Sequence, residues 1–421
     1  MSEIATTEVN PKIGYKDVIK QKEYMKLIFA NIINRFGDSI DSIAFSWLVF
    51  SLTGSAAWSA LIFGINRVPT IFLQPFAGAL VENLNKKFIM VVTDIIRGIC
   101  VSLIAVLLIF KLLNPWILLL MTVIISSAEA FRGPAGTAVL PRILDKSCYD
   151  FGISLNSTLT NIVELAGLGL AGAIIGIFGT QTAIFIDAAT FWGSALVILF
   201  IHTGEEKKTY KKINLKDYFD TLKGGISYIR RNRIIINFIL LAMAANAILV
   251  PLNSLEAPLV RDILKQGGYL LSVLGFSLSL GLGIGSALYP YIAKRLGIRT
   301  IILTSGMMLS FYYIILILSS YISTYKILVG IICAVSSLIT GCLLAFMLAA
   351  LNVQFMKNVE TDYLARAGAI MSSGCVCTMP LVSFIISILT AFLPVSVIFY
   401  AMGGIGIVLF LLIYIKKMKF E

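Results

Sequence analysis

Arg35, Asp38 and Asp41 lie within seven positions of one another in the stretch 31–50, whose second half is otherwise largely apolar. Two carboxylates beside one guanidinium can do a particular kind of chemistry. One acid stays ionised against the cation, and the other is left to take up and release a proton. On a helix, Asn31, Asn34, Arg35, Asp38, Asp41, Ser42 and Phe45 share one broad face through steps of three and four. Asp38 is then the group nearest Arg35, one turn away, and Asp41 is the carboxylate expected to cycle. The plainer alternative is a structural knot in which Arg35 only neutralises Asp38.

Which of these applies depends on the element that carries the residues. The chain has 421 residues, of which 58% are hydrophobic and only 13% charged. That is too little charge to cover a soluble domain of this size. Apolar runs long enough to cross a hydrocarbon core of ~30 Å recur along nearly the whole length. About twelve can be read, the first over 27–50 and the last over 394–415. The expected fold is an all-α membrane protein with about twelve transmembrane helices. No cleavable leader is expected, because the residues before the first span are polar. A charge at the centre of a bilayer costs at least ~2.5–3.5 kcal/mol, so the polar stripe of the first span must face protein or water.

The net charge of +12 could signal nucleic acid, but its distribution decides otherwise. Of the 34 Lys and Arg, 27 fall in tails and loops on one side of the membrane, four on the other, and three (Arg35, Arg67, Arg97) within spans. This asymmetry is a topology signal. It places both termini in the cytoplasm and predicts no nucleic-acid partner. The parts are a cytoplasmic tail (1–26), a six-helix bundle (27–203), a cytoplasmic linker (204–233), a second six-helix bundle (234–415) and a short tail (416–421). Within the linker, Leu215, Tyr218, Phe219, Leu222 and Ile226 recur at helical spacing, fitting either a membrane-surface helix or a solvated connection. The six cysteines lie in or beside spans and read as small apolar residues, so no metal or disulfide is expected.

Further ionisable residues lie in predicted spans. Glu164, in a glycine-rich fifth span, has no local partner and is a second proton or substrate candidate. Arg67 in the second span is a counterion candidate for one of these acids. Glu129 is placed to cap Arg132, and Asp187 reads as structural. Gly167, Gly169 and Gly172 match a dinucleotide fingerprint, but inside a membrane span they have no βαβ unit to serve. No phosphate-binding loop for an ATPase occurs, and no cofactor is expected.

The halves echo each other: short basic turns follow the second span (81–87) and the eighth (293–299). Several pieces together resemble the third drug:proton antiporter family of the major facilitator superfamily, the macrolide-efflux type. They are Gly37-Asp38, Thr53-Gly-Ser55, Arg67-x-Pro69, the 78–87 turn, Asp94-x-x-Arg97, Phe131-x-x-Pro-Ala135 with Pro141, and Ile186-Asp-Ala-x-x-Phe191. They cover residues 25–200, whereas the second half matches mainly in hydropathy. Two departures are plain: Glu82-Asn83 stands where the family has Asp-Arg, and Gly167 is not followed by Pro.

The resemblance implies two six-helix bundles around a central cavity. It implies a cytoplasmic gate of Glu82, Asp94 and Arg97, and close-packing faces at Gly172/Gly176 and Gly281/Gly285 where the fifth and eighth spans meet. The expected activity is export of a small amphipathic compound, an antibiotic or similar natural product, in exchange for protons, with sodium as the alternative ion. Asn34, Asp38, Asp41, Phe45 and Trp47 would border the cavity. A siderophore or metabolite exporter, a lysolipid flippase, and a non-transporting scaffold or receptor are the alternatives. No enzymatic activity is expected, and the chain is read as a monomer in the plasma membrane.

Overall fold

The computed structural model describes residues 14–203, 227 and 229–415, apart from the side chains of 75, 78–80, 82, 83, 150, 233, 290, 356, 361–366 and 369. The amphipathic linker segment at 215–226 lies outside the described residues, as do the two tails' ends. After a short turn of helix (Tyr15–Ile19), the chain builds α1 (Lys22–Thr53), α2 (Ala56–Asn83), α3 (Lys86–Ile109) and α4 (Pro115–Ile143). The long run Tyr149–Leu199 is interrupted at Gly179, whose φ of 85° and ψ of 162° are non-helical. It therefore comprises α5 (149–178) and α6 (180–199). Then follow α7 (Arg233–Ser254), α8 (Tyr269–Ala293), α9 (Ile298–Leu318), α10 (Lys326–Asn358), α11 (Thr361–Leu389) and α12 (Val395–Ile415).

Local chemistry sets several boundaries. Gly54 ends α1 in the left-handed region (φ 62°), a conformation that costs glycine nothing. Asn85, Asn114 and Asn232 cap α3, α4 and α7 by accepting main-chain N–H bonds from the first turn. Pro115 opens α4, where its missing N–H is no loss.

Among the described residues, ten runs are long and apolar enough to cross a membrane, with α5 and α6 counted as one. α1 is not among them, because its charged and hydroxyl residues dilute its hydropathy. Adding α1 and separating α5 from α6 gives the twelve crossings expected from the sequence.

The helices pack as two bundles. In the first, α1 lies against α5 and α6, α2 against α4, and α3 against both α4 and α6. In the second, α8 packs on α10, α9 on α10 and α12, and α7 on α11. The halves meet along α2–α11 and α5–α8. α1 is gripped by the α5–α6 hairpin: an added Cβ at Gly167 would lie 2.7 Å from Ser39 Cβ, and one at Gly37 2.6 Å from Asp187 Oδ1.

The contacts that join the halves gather at the end carrying the α1–α2 turn. Ser383 Oγ donates to the Ala60 carbonyl (2.5 Å) and Ser387 Oγ to that of Ala57 (2.8 Å). A Cβ at Gly172 would come within 2.9 Å of Tyr269 Cα, so α5 and α8 touch backbone to backbone. Arg261 lies 5.5 Å from the centre of the Phe50 ring. The other glycine pair differs from the expectation. Gly281 and Gly285 face α10, not α5, and a Cβ at Gly285 would sit 2.7 Å from Cys342 Cα. Gly341 of α10 fits reciprocally against α8, so this small-residue face locks the second bundle internally.

Candidate functional site

The polar face of α1 meets partners from three other helices, and the pairings differ from those read in one dimension. Arg35 pairs with Glu164 of α5, through Nε at 3.1 Å and through its terminal nitrogen. Asp38 is bound by Arg97 of α3, with Nη2 to Oδ1 at 2.7 Å. The expected Arg35–Asp38 pair is thus replaced by two interhelical pairs. A long guanidinium on an exposed part of α1 reaches α5, while Asp38 turns toward an arginine that is itself nearly buried.

Arg97 also holds Glu129 of α4, with Nη1 to Oε2 at 2.6 Å, and its guanidinium lies 4.1 Å from the centre of the Phe191 ring of α6. Its Nε is buried without an acceptor. Glu129 does not cap Arg132, as the sequence suggested. Arg132 instead binds Asp94 of α3, Nε to Oδ1 at 3.0 Å. Asp94 is fully buried and accepts further bonds from Ser194 Oγ (2.7 Å) and Asn34 Nδ2 (3.5 Å). It ties α1, α3, α4 and α6 together in a satisfied network.

The structure therefore sorts the expected gate residues differently. Asp94 and Arg97 belong to the interior of the first bundle and not to the turn after α2. At 1.5 Å per residue, Arg97 stands about 16 Å along α3 from its first residue. The Glu82 side chain lies outside the described residues. Arg67 is exposed and makes no ion pair with the expected acids; its guanidinium lies 6.0 Å from the centre of the Phe63 ring. Asp41 has no hydrogen bond or ion pair among the described residues.

One residue that sequence reading set aside belongs at the centre of this group. Asp187 of α6 is 1% exposed, and both its carboxyl oxygens are without hydrogen-bond partners. It lies against Gly37, next to Asp38. The available signal was the pairing of Gly37 on one helix with an isolated acid on another.

Six carboxylates (Asp38, Asp41, Asp94, Glu129, Glu164, Asp187) thus share three paired cations, Arg35, Arg97 and Arg132. Four of the acids have a cation, and Asp41 and Asp187 do not. A cavity of about 280 Å³ opens among α1, α4 and α5, lined by Asn31, Asn34, Arg35, Asp38, Glu129, Arg132, Gly133, Asn156, Thr160 and Asn161. Phe45 and Trp47, expected in the cavity wall, do not line it. A Cβ at Gly268, just before α8, would lie 3.5 Å from the Trp47 ring, which places that residue at the closed junction between the halves.

Among the described residues, twelve long helices pack as two bundles, with buried charges concentrated in the first, which is the architecture of a membrane transporter. The chain belongs to the Major Facilitator Superfamily, whose family description matches residues 27–377. It is 24% identical over 293 residues to the uncharacterized MFS-type transporter YkuC of Bacillus subtilis, covering 66% of each chain. It is 22% identical over 297 residues to the multidrug efflux pump Tap of Mycobacterium tuberculosis, covering 67% of this chain and 69% of that one. The chain thus spans only about two thirds of the length of these relatives. Among solved structures, the nucleoside transporter NupG superposes with a TM-score of 0.73 at 14% identity, over 94% of this chain and 100% of that one. A bacterial homologue of the iron transporter ferroportin, in an inward-facing state, gives 0.69 at 15% identity, over 93% and 98%. Both likenesses concern the fold.

Proposed function

We propose that this protein exports a small amphipathic compound in exchange for protons, as a member of the drug:proton antiporter group with macrolide-efflux pumps. The observation that carries the reading is the surplus of acid over cation in the charged group whose Arg35, Asp38, Glu129 and Arg132 line the cavity. Carboxylates without counterions in a bilayer are stable only when protonated or hydrated, so the site is built to exchange protons. Asp38, Glu129 and Arg35 at the cavity wall offer charges for which substrate and proton can compete. Asp41 is our candidate for the acid that cycles. Relatives that include a multidrug efflux pump support export over uptake.

The orientation that fits the charge asymmetry puts both termini and the 204–233 linker in the cytoplasm, with the linker dividing bundles at 27–203 and 234–415. The closed α1–α2 end then faces outward, and the polar cavity is reached from the cytoplasm. Glu82 keeps its proposed place in a cytoplasmic gate.

The lining favours a substrate with polar or cationic groups, because asparagine, threonine and charged side chains make up nearly all of it. This observation also supports a second reading, a metabolite or siderophore exporter on the same fold. A susceptibility panel in an efflux-deficient host identifies candidate compounds. Compound-dependent proton movement in proteoliposomes then tests the mechanism. Transport that follows a sodium gradient and ignores a pH gradient would overturn proton coupling.

A further inference from the structure

The two uncompensated acids differ in setting. Asp41 is partly exposed. Asp187 is 1% exposed, and neither carboxyl oxygen receives a hydrogen bond. Thr190, one turn along, donates its hydroxyl to the main-chain carbonyl of Asp187 at 2.7 Å. On the other side stands Gly37, where an added Cβ would lie 2.6 Å from Oδ1. A structural aspartate at this depth looks like Asp94, with an arginine, a serine and an asparagine all donating to it. Asp187 has none of these. As a carboxylate it would carry the full cost of an unpaired buried charge, whereas the neutral acid carries only that of an unmade hydrogen bond.

The charged groups around it define what ionisation would do. Asp38 and Asp41 act on it from α1 and Arg97 from α3; Glu129 of α4 is reached through Arg97, and Glu164 of α5 is held by Arg35. Arg97 is the cation in reach. It stacks on Phe191, one turn from Asp187 on the same helix, and its Nε is a buried donor with no acceptor. An orphan donor on Arg97 and an orphan acid one helical turn from its aromatic platform thus coexist, while the other end of the guanidinium holds Asp38 and Glu129.

We propose that Asp187 is a proton-binding residue that is neutral in this conformation and becomes the alternate partner of Arg97 when it ionises. Its O–H bond breaks, the proton passes to water in the cavity, and Arg97 stays protonated while changing partners. Asp38 and Glu129 are then released toward the cavity wall. The proposal rests on the proton-exchange reading above, but its test needs no substrate.

The test is infrared spectroscopy of the full chain reconstituted in lipid, read at the C=O stretch of protonated carboxyls. At neutral pH the wild type should show this band, and Asp187→Asn should lose part of it while Asp41→Asn keeps that part. An unchanged band in Asp187→Asn would overturn the proposal. If Asp187→Asn does not fold, wild type and Asp41→Asn carrying ¹³C at aspartate carboxyls decide. A component that shifts with the label and survives Asp41→Asn supports Asp187, and its disappearance in Asp41→Asn counts against it. The change of partner is tested by Arg97→Gln. With no cation to receive the ionised acid, the band should persist to a pH at least one unit higher, and no shift would overturn that part. A band that behaves as stated in a chain moving no protons with substrate would instead defeat the antiport reading alone.

Discussion

At the scale of single residues, the buried acids divide by how many donors each has. Asp94 has three, and removing it leaves Arg132 buried without its carboxylate. We expect Asp94→Ala to cost about 3–5 kcal/mol, the usual range for stranding one partner of a buried pair. Thermal unfolding in detergent should show a clear drop, and the Asp94→Ala, Arg132→Leu double variant should lose less than the sum of the two. Asp41 has no partner to strand, so Asp41→Asn should fold normally, keep downhill exchange of substrate and lose uphill export. If that variant accumulates substrate at the wild-type rate, Asp41 is not the cycling acid. The face of α1 that carries these groups was legible from spacing alone. Their partners were not, because i,i+3 proximity on one helix competes with cations on neighbouring helices that a one-dimensional reading cannot place. Arg97 and Asp187 lie 59 and 149 positions from Asp38, by difference of residue number.

Among the helices, the contacts at the α1–α2 end are made by small residues. Gly172 lets α5 meet α8 at backbone distance, and two serine hydroxyls of α11 hold α2. Gly172→Leu should prop that junction open. A cysteine replacing Ser387 should then react faster with a membrane-impermeant thiol reagent than it does with Gly172 intact, and transport should fall several-fold. Equal labelling in both backgrounds would mean that α5–α8 contact does not control the junction. The sequence pointed to Gly172 and Gly176 as a packing face; the structure packs Gly172 against α8, whereas a Cβ at Gly176 would meet nothing within 4 Å. It misplaced Gly281 and Gly285, since a small-residue motif shows that a helix has a close neighbour without showing which one.

For the molecule as a whole, the alternation of apolar runs and the charge asymmetry carried the fold. About twelve spans can be read from lengths and hydropathy, the first of them in spite of Arg35, Asp38 and Asp41 within it. A reporter fused after Lys212 or at the C-terminus should read cytoplasmic, and one inserted near Gln266 external. A cytoplasmic reading at Gln266 would overturn the orientation. What hydropathy could not convey is the shape of the connection between α5 and α6, where a single glycine with φ of 85° turns the chain.

That turn has a further consequence. With no loop between them, the two arms behave as one pair of tongs closed on α1. The arm that touches α8 and the arm that bears Asp187 are joined at a single glycine. Their common tip presents Ile177 and Phe178 to the surroundings, 74% and 64% exposed. If transport requires these arms to shift together, a binder held at this tip should slow it without entering the cavity, and transport assayed with and without such a binder checks this.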